Sequence, residues 1–237
     1  MMKRSKRYRA LTEEFERRSQ HGLEEAVEIV KSKSTAKFDE SIDVAVRLGI
    51  DPKKQDQVVR GTVELPHGTG KNVRVLVFCK GEKEDEARAA GADYVGFEDL
   101  AEKIKGGWHE FDMTVATPDT MPVVGRLGKI LAPKGLMPSP KTKTVTFDVG
   151  SAVRALKAGR INYRTDKTGN VHGLVGKVSF DTGMLVDNVR AFVEELIRAK
   201  PAAAKGQYIR NLVLSSTMGP GLRVDTRELT EKVRKGV

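Results

Sequence analysis

The sequence predicts a two-domain protein of mixed class, in which a split α+β domain made from both ends of the chain carries an inserted three-layer α/β domain. Two observations predict it. Strand-like runs near both termini alternate apolar and polar residues, whereas the strand runs of the middle are continuously apolar and are separated by helical segments. Alternation suits an antiparallel sheet with one wet face, and continuous apolar strands suit a parallel sheet covered on both sides. The breaks fall at Pro66-His67-Gly68 and at Gly159, which are turn-rich or flexible. The predicted division is therefore 1–66 with 160–237 around 67–159, and its two chain crossings permit a hinge.

Leu23, Ala26, Val27 and Val30 form the first helical stripe. Ser41 to Arg47 follows as a strand with Ile42, Val44 and Val46 on one face, and Val59, Val63 and Leu65 alternate likewise. Val73 to Phe78 opens the middle region as a buried parallel strand. A helix over Glu82 to Ala90, a short strand at Tyr94-Val95, a helix over Glu98 to Lys105 and a strand at Met113 to Ala116 continue the βαβ pattern. Gly128 to Lys141 (GKILAPKGLMPSPK) reads as an ordered surface loop after a helix. Ile161 to Arg164 and Val171 to Val178 flank a hairpin-type turn at Asp166 to Asn170. An amphipathic helix carrying Leu185, Val189, Phe192, Val193, Leu196 and Ile197 comes next, with Asp181 and Thr182 as candidate caps. Ile209 to Leu214 and Leu222 to Val224 are the last strands. Between them lies Ser215 to Gly221 (SSTMGPG), a tight turn in which Gly219 and Gly221 allow positive φ and three hydroxyls face outward.

The chain has 237 residues and a net charge of +10, which points to a polyanionic partner. Residues 67–159 hold 14 basic and 12 acidic side chains, a net of +2, so +8 belongs to the terminal segments. Part of that excess is the basic start, Lys3, Arg4, Lys6, Arg7 and Arg9, which reads as a solvated or RNA-touching arm. No apolar region follows it, so it is not a secretory signal. No stretch approaches the roughly 18 apolar residues of a membrane span. Cys79 is the only cysteine and reads as a small core residue; a disulfide within the chain and a Cys-based zinc site are excluded.

A nucleotide-dependent enzyme built on the middle region is the main rival reading. Gly68-Thr69-Gly70-Lys71 invites it, but the phosphate-loop pattern needs Gly at 65 and Ser or Thr at 72, where Leu65 and Asn72 stand. The histidines have no ligand spacing and no nucleophile elbow appears. No catalytic residue, metal or cofactor is expected. Two local readings stay open. Phe38 is either a core aromatic or a base-stacking group. His172 and Lys177, five apart on one strand, face opposite ways unless a bulge near Gly173 or Gly176 intervenes.

Four ordered segments resemble the ribosomal protein L-one family, the stalk protein of the large subunit, in its bacterial form. They are Lys37 to Ser41 (KFDES), Gly128 to Lys141, Tyr163 to His172 (YRTDKTGNVH) with Gly176 to Phe180 (GKVSF), and Ser215 to Gly221. The resemblance covers nearly the whole chain and implies the split-domain architecture already read from the pattern. It implies an RNA-binding surface on the split domain formed by Lys37, Phe38, Glu40, Ser41, Arg164, Asp166, Lys167, Thr168, Gly169, His172, Lys177, Ser179, Ser215, Thr217, Met218 and Gly219. Lys129, Lys134 and Lys141 of the inserted domain rank second. It further implies a cytoplasmic, ribosome-associated protein, monomeric when free. Its expected partners are large-subunit ribosomal RNA, exit-site tRNA and its own operon messenger, whose translation it represses; it also helps deacylated tRNA leave.

Overall fold

The computed structural model describes residues 5–13 and 19–235; Lys3 and Arg4 of the basic start lie outside them. The first segment carries α1 (Lys6–Glu13), β1 (Gln20–His21), α2 (Leu23–Ser32), β2 (Ser41–Leu48) and β3 (Arg60–Glu64). The middle carries β4 (Val75–Phe78), α3 (Glu82–Ala89), β5 (Tyr94–Gly96), α4 (Glu98–Lys105), β6 (Met113–Ala116), α5 (Met121–Arg126), α6 (Gly128–Leu131) and α7 (Val149–Lys157). The last carries β7 (Arg160–Arg164), β8 (Asn170–Lys177), α8 (Thr182–Arg198), β9 (Ile209–Ser216), β10 (Gly221–Val224) and α9 (Thr226–Lys235). The chain forms two compact units, Met1–Gly70 with Ile161–Val237 and Lys71–Arg160.

In the split unit a five-stranded sheet runs in the order β1-β10-β9-β2-β8. It is antiparallel except for the two-residue β1, which pairs parallel with β10. The alternation in β2 decides its sides: Ile42, Val44, Val46 and Leu48 are buried, while Asp43 and Arg47 are exposed. Helices α2 and α8 cover the inner side with Ala26, Val27 and Val30 and with Leu185, Val189, Phe192 and Leu196. Each fully buried Leu or Phe there stabilises by about 1.5–3 kcal/mol over exposure. Asn188 is a buried polar group in this core. Its amide donates to the Gly68 and Val175 carbonyls at 2.9 and 2.7 Å, and its Oδ1 accepts from the His67 amide at 3.1 Å. The three bonds offset its desolvation and tie the end of the first segment to α8.

The inserted unit has a three-stranded parallel sheet, order β5-β4-β6. Both faces of β4 are covered, which is why its sequence does not alternate. Val75, Val77 and Cys79 pack with α3 and α7, and Leu76 and Phe78 pack with α4, α5 and α6. Cys79 is fully buried, and burial pushes its thiol up to about 11.

Three local expectations change. The turn at Asp166 to Asn170 does not join paired strands: β7 pairs with β3 and β8 with β2. Gly128–Leu131 is a helical turn, so the expected surface loop begins after it. Gly219 and Gly221 are not at positive φ. They are small for packing instead, because a Cβ on Gly219 would stand 2.4 Å from Ser216 Oγ and one on Gly221 would stand 3.0 Å from Val213 Cγ1.

Candidate RNA interface

Three segments of the split unit meet at one end of its sheet: 34–41 entering β2, 177–179 leaving β8, and 215–219 at the turn between β9 and β10. Register explains the meeting, since Ser41 is opposite Lys177 and Ile42 is opposite Ser216. Glu40 holds them. Its side chain is wholly buried. Its carboxylate accepts from Ser34 Oγ at 2.7 Å, the Ala36 amide at 3.1 Å and the Met218 amide at 2.8 Å. Burial opposes ionisation, but these hydrogen bonds outweigh it and hold the carboxyl at about 2. The Glu40 carbonyl also accepts from the Val178 amide at 2.9 Å. Glu40 therefore positions the rim, and the expectation that it touches RNA directly gives way to that role.

A second set of bonds locks the same segments. Ser41 N donates to Thr217 Oγ1 at 3.0 Å, and Thr217 N and Oγ1 donate to the Ser41 carbonyl at 3.0 and 3.3 Å. Asp39 accepts from Ser179 N and Oγ at 3.2 and 2.9 Å, while its carbonyl receives Lys177 Nζ at 3.3 Å. The hydroxyls of Thr217 and Ser179 are thus committed inside the rim. Of the three hydroxyls expected to face outward, Ser216 is buried, because it is a strand residue on the inner side.

What the rim presents outward is apolar and basic. Phe38 is 56% exposed and Met218 49% exposed, and Lys37 is exposed beside them. Phe38 is therefore not a core aromatic. A flat ring and a flexible thioether on a braced backbone can stack on bases and cover sugars. Ser215 lies half-buried on the outer side of β9.

The open question about β8 resolves through a bulge. Asp43 pairs with Leu174 and Ile42 with Gly176, leaving Val175 as the extra residue. The bulge puts His172 and Lys177 on the same outer side as Asp43 and Arg47. Gly173 and Gly176 turn inward, where a Cβ would meet Phe192 at 2.7 Å and Leu185 at 2.7 Å.

Arg164, Asp166, Lys167, Thr168 and Gly169 lie at the other end of β8, about 20 Å from the rim at 3.4 Å per residue. Arg164, Lys167 and Thr168 are exposed. Asp166 accepts from Thr168 N and Oγ1, each at 2.8 Å, and from Asn170 N and Nδ2 at 2.7 and 3.1 Å. The Asn170 amide leads in holding its carboxyl far below the usual range. Asp166 organises the turn, with His172 Nε2 at 3.7 Å. Gly169 is buried at φ +82°, a conformation that glycine adopts without strain and that lets the turn close.

Lys129, Lys134 and Lys141 are exposed on the inserted unit. Sequence reasoning missed Ser34 and the Ala36 amide, which have no pattern of their own. Arg47, Arg210 and Arg223 of the same sheet are exposed, and strand parity with Ser41 marks Arg47 as outward.

No group of His, Cys, Asp and Glu among the described residues could hold a metal ion. No helix among them is long and apolar enough to cross a membrane. A basic split unit with a braced rim, an exposed aromatic and an open sheet face defines the class: a nucleic-acid-binding protein. Residues 30–220 match the model of the Ribosomal protein L1p/L10e family, and the chain belongs to that family. It is thus a ribosomal protein that binds the RNA of the large subunit and associates with it, in a family of structural proteins and not of enzymes.

Proposed function

We propose that this protein binds large-subunit ribosomal RNA at the mobile stalk beside the tRNA exit site and helps deacylated tRNA leave. In the same reading it represses its own operon messenger by binding a mimic of the ribosomal site, and it is a monomer when free. The RNA affinity resides in the split domain, 1–66 with 160–237, and Lys129, Lys134 and Lys141 of 67–159 add secondary contacts.

One observation carries this reading most. Buried Glu40 braces the 34–41 segment and the Met218 turn, so that Phe38 and Met218 stand exposed on a rigid backbone. The surroundings agree with it, since the terminal segments carry +8 of the net charge. Crosslinking to RNA in cells followed by sequencing of the bound fragments tests it. One stem-loop of large-subunit RNA and a similar fold in the protein's own messenger are expected. Ribosomal fragments scattered without a common site would overturn it.

A further inference from the structure

The outer side of the five-stranded sheet is uncovered by any described helix, and its composition is uneven. Outward positions follow from the burial alternation and the register. Arg47 lies at the end of β2 away from the rim. Arg223, on β10, stands opposite Val213, which is itself opposite Ala45. Arg210 is the extra residue where the β2–β9 register shifts, and its Nε would stand 3.2 Å from a Cβ on Gly49. Arg210 and Asn211 together stand opposite outward Arg47 at this bulge, which puts the exposed Arg210 on the outer side.

All three arginines are exposed, and none forms an ion pair with a described residue. Asp43 is the one carboxylate at an outward strand position of the five-stranded sheet among the described residues. Three unpaired guanidiniums against one acid is a poor arrangement for stability. It fits a polyanion, because a guanidinium fork engages phosphate oxygens in pairs. Ala45, Leu174 and Val213 between them keep the surface low enough for a backbone to lie on it.

We propose that Arg47, Arg210 and Arg223 form a phosphate-binding track on the open sheet face. The track extends the RNA footprint from the rim across β2, β9 and β10. It supplies sequence-independent affinity, whereas the rim recognises bases and sugars. This inference rests on the rim being the primary RNA site.

The test is filter binding of a full-length large-subunit rRNA transcript across a salt series. The variants are the triple Arg47→Gln/Arg210→Gln/Arg223→Gln, the matching triple Arg→Lys, and Met218→Ala, each checked by thermal melting. The Gln triple should lower the salt slope by about 2–3, at roughly 0.7–0.9 per lost phosphate contact. The Lys triple should restore most of it. Met218→Ala should weaken binding with the slope unchanged. A Gln triple with wild-type slope and melting overturns the track and leaves the face to a protein partner. A Met218→Ala protein that binds as wild type, with the Gln triple still weakened, overturns the rim as primary site while the track stands.

Discussion

Glu40→Gln separates bracing from contact, because the substitution keeps size and removes charge. Glu40 is fully buried with three donors aimed at it. A fall of its carboxyl from 4.5 to about 2 corresponds to about 3 kcal/mol of stability near neutral pH. A glutamine amide accepts through one oxygen only, and its NH2 faces a donor that it cannot satisfy. The expected loss is about 2–4 kcal/mol, in line with about 1.5–3 kcal/mol for a hydrogen bond to a charged group. For a chain of this size that lowers the melting temperature by roughly 4–16 °C. The sign with pH follows from the depressed folded value. The stabilisation is fully present above 4.5 and is lost as pH falls through about 2. Melting of wild type and variant between pH 7 and pH 2 should therefore converge at the acid end. RNA binding of the variant should fall at pH 7, since the Met218 turn loses its anchor. A variant that melts and binds like wild type at pH 7 would refute the bracing role.

Other outcomes follow from the same geometry. Phe38→Ala should weaken RNA binding by about 1–3 kcal/mol, as for a stacked base, and Met218→Ala should weaken it through lost apolar cover, neither moving the melting temperature; filter binding with parallel melts checks this. Thr217→Val removes both hydroxyl bonds to Ser41 and should cost about 1–2 kcal/mol in chemical denaturation. Gly173→Ala sets a Cβ 2.7 Å from Phe192 Cε2 inside the core. It should destabilise by about 1–3 kcal/mol by calorimetry, with the outer face unchanged.

The sequence made the architecture legible wherever a strand had one wet side or none. Period 2 in Ser41–Leu48 and the unbroken apolar run of β4 assigned two kinds of sheet, because burial on one face or two leaves different patterns. Strand partners were less legible. The turn at Asp166 to Asn170 has hairpin chemistry, yet β7 and β8 pair elsewhere, since pairing is decided by which segment returns to which edge. The conformations of Gly219 and Gly221 were misread because glycine serves close packing as well as positive φ. At the site, the sequence singles out Phe38 and Met218, which the structure leaves exposed, but it does not show Glu40 as a buried brace. A carboxylate in a sequence does not announce three donors arriving from segments nearly 180 residues apart. The bulge at Val175 was legible as one of two alternatives, because Gly173 and Gly176 flank it, and the strand register decides between them.

The most direct test of the central claim is mapping of ultraviolet RNA–protein crosslinks on the whole ribosome by mass spectrometry of the attached peptides. The account predicts crosslinks in the peptides that contain Phe38 and Met218, and fewer in those that contain Lys129, Lys134 and Lys141. Crosslinks confined to residues 71–160, with the peptides around Phe38 and Met218 free of RNA, would contradict it.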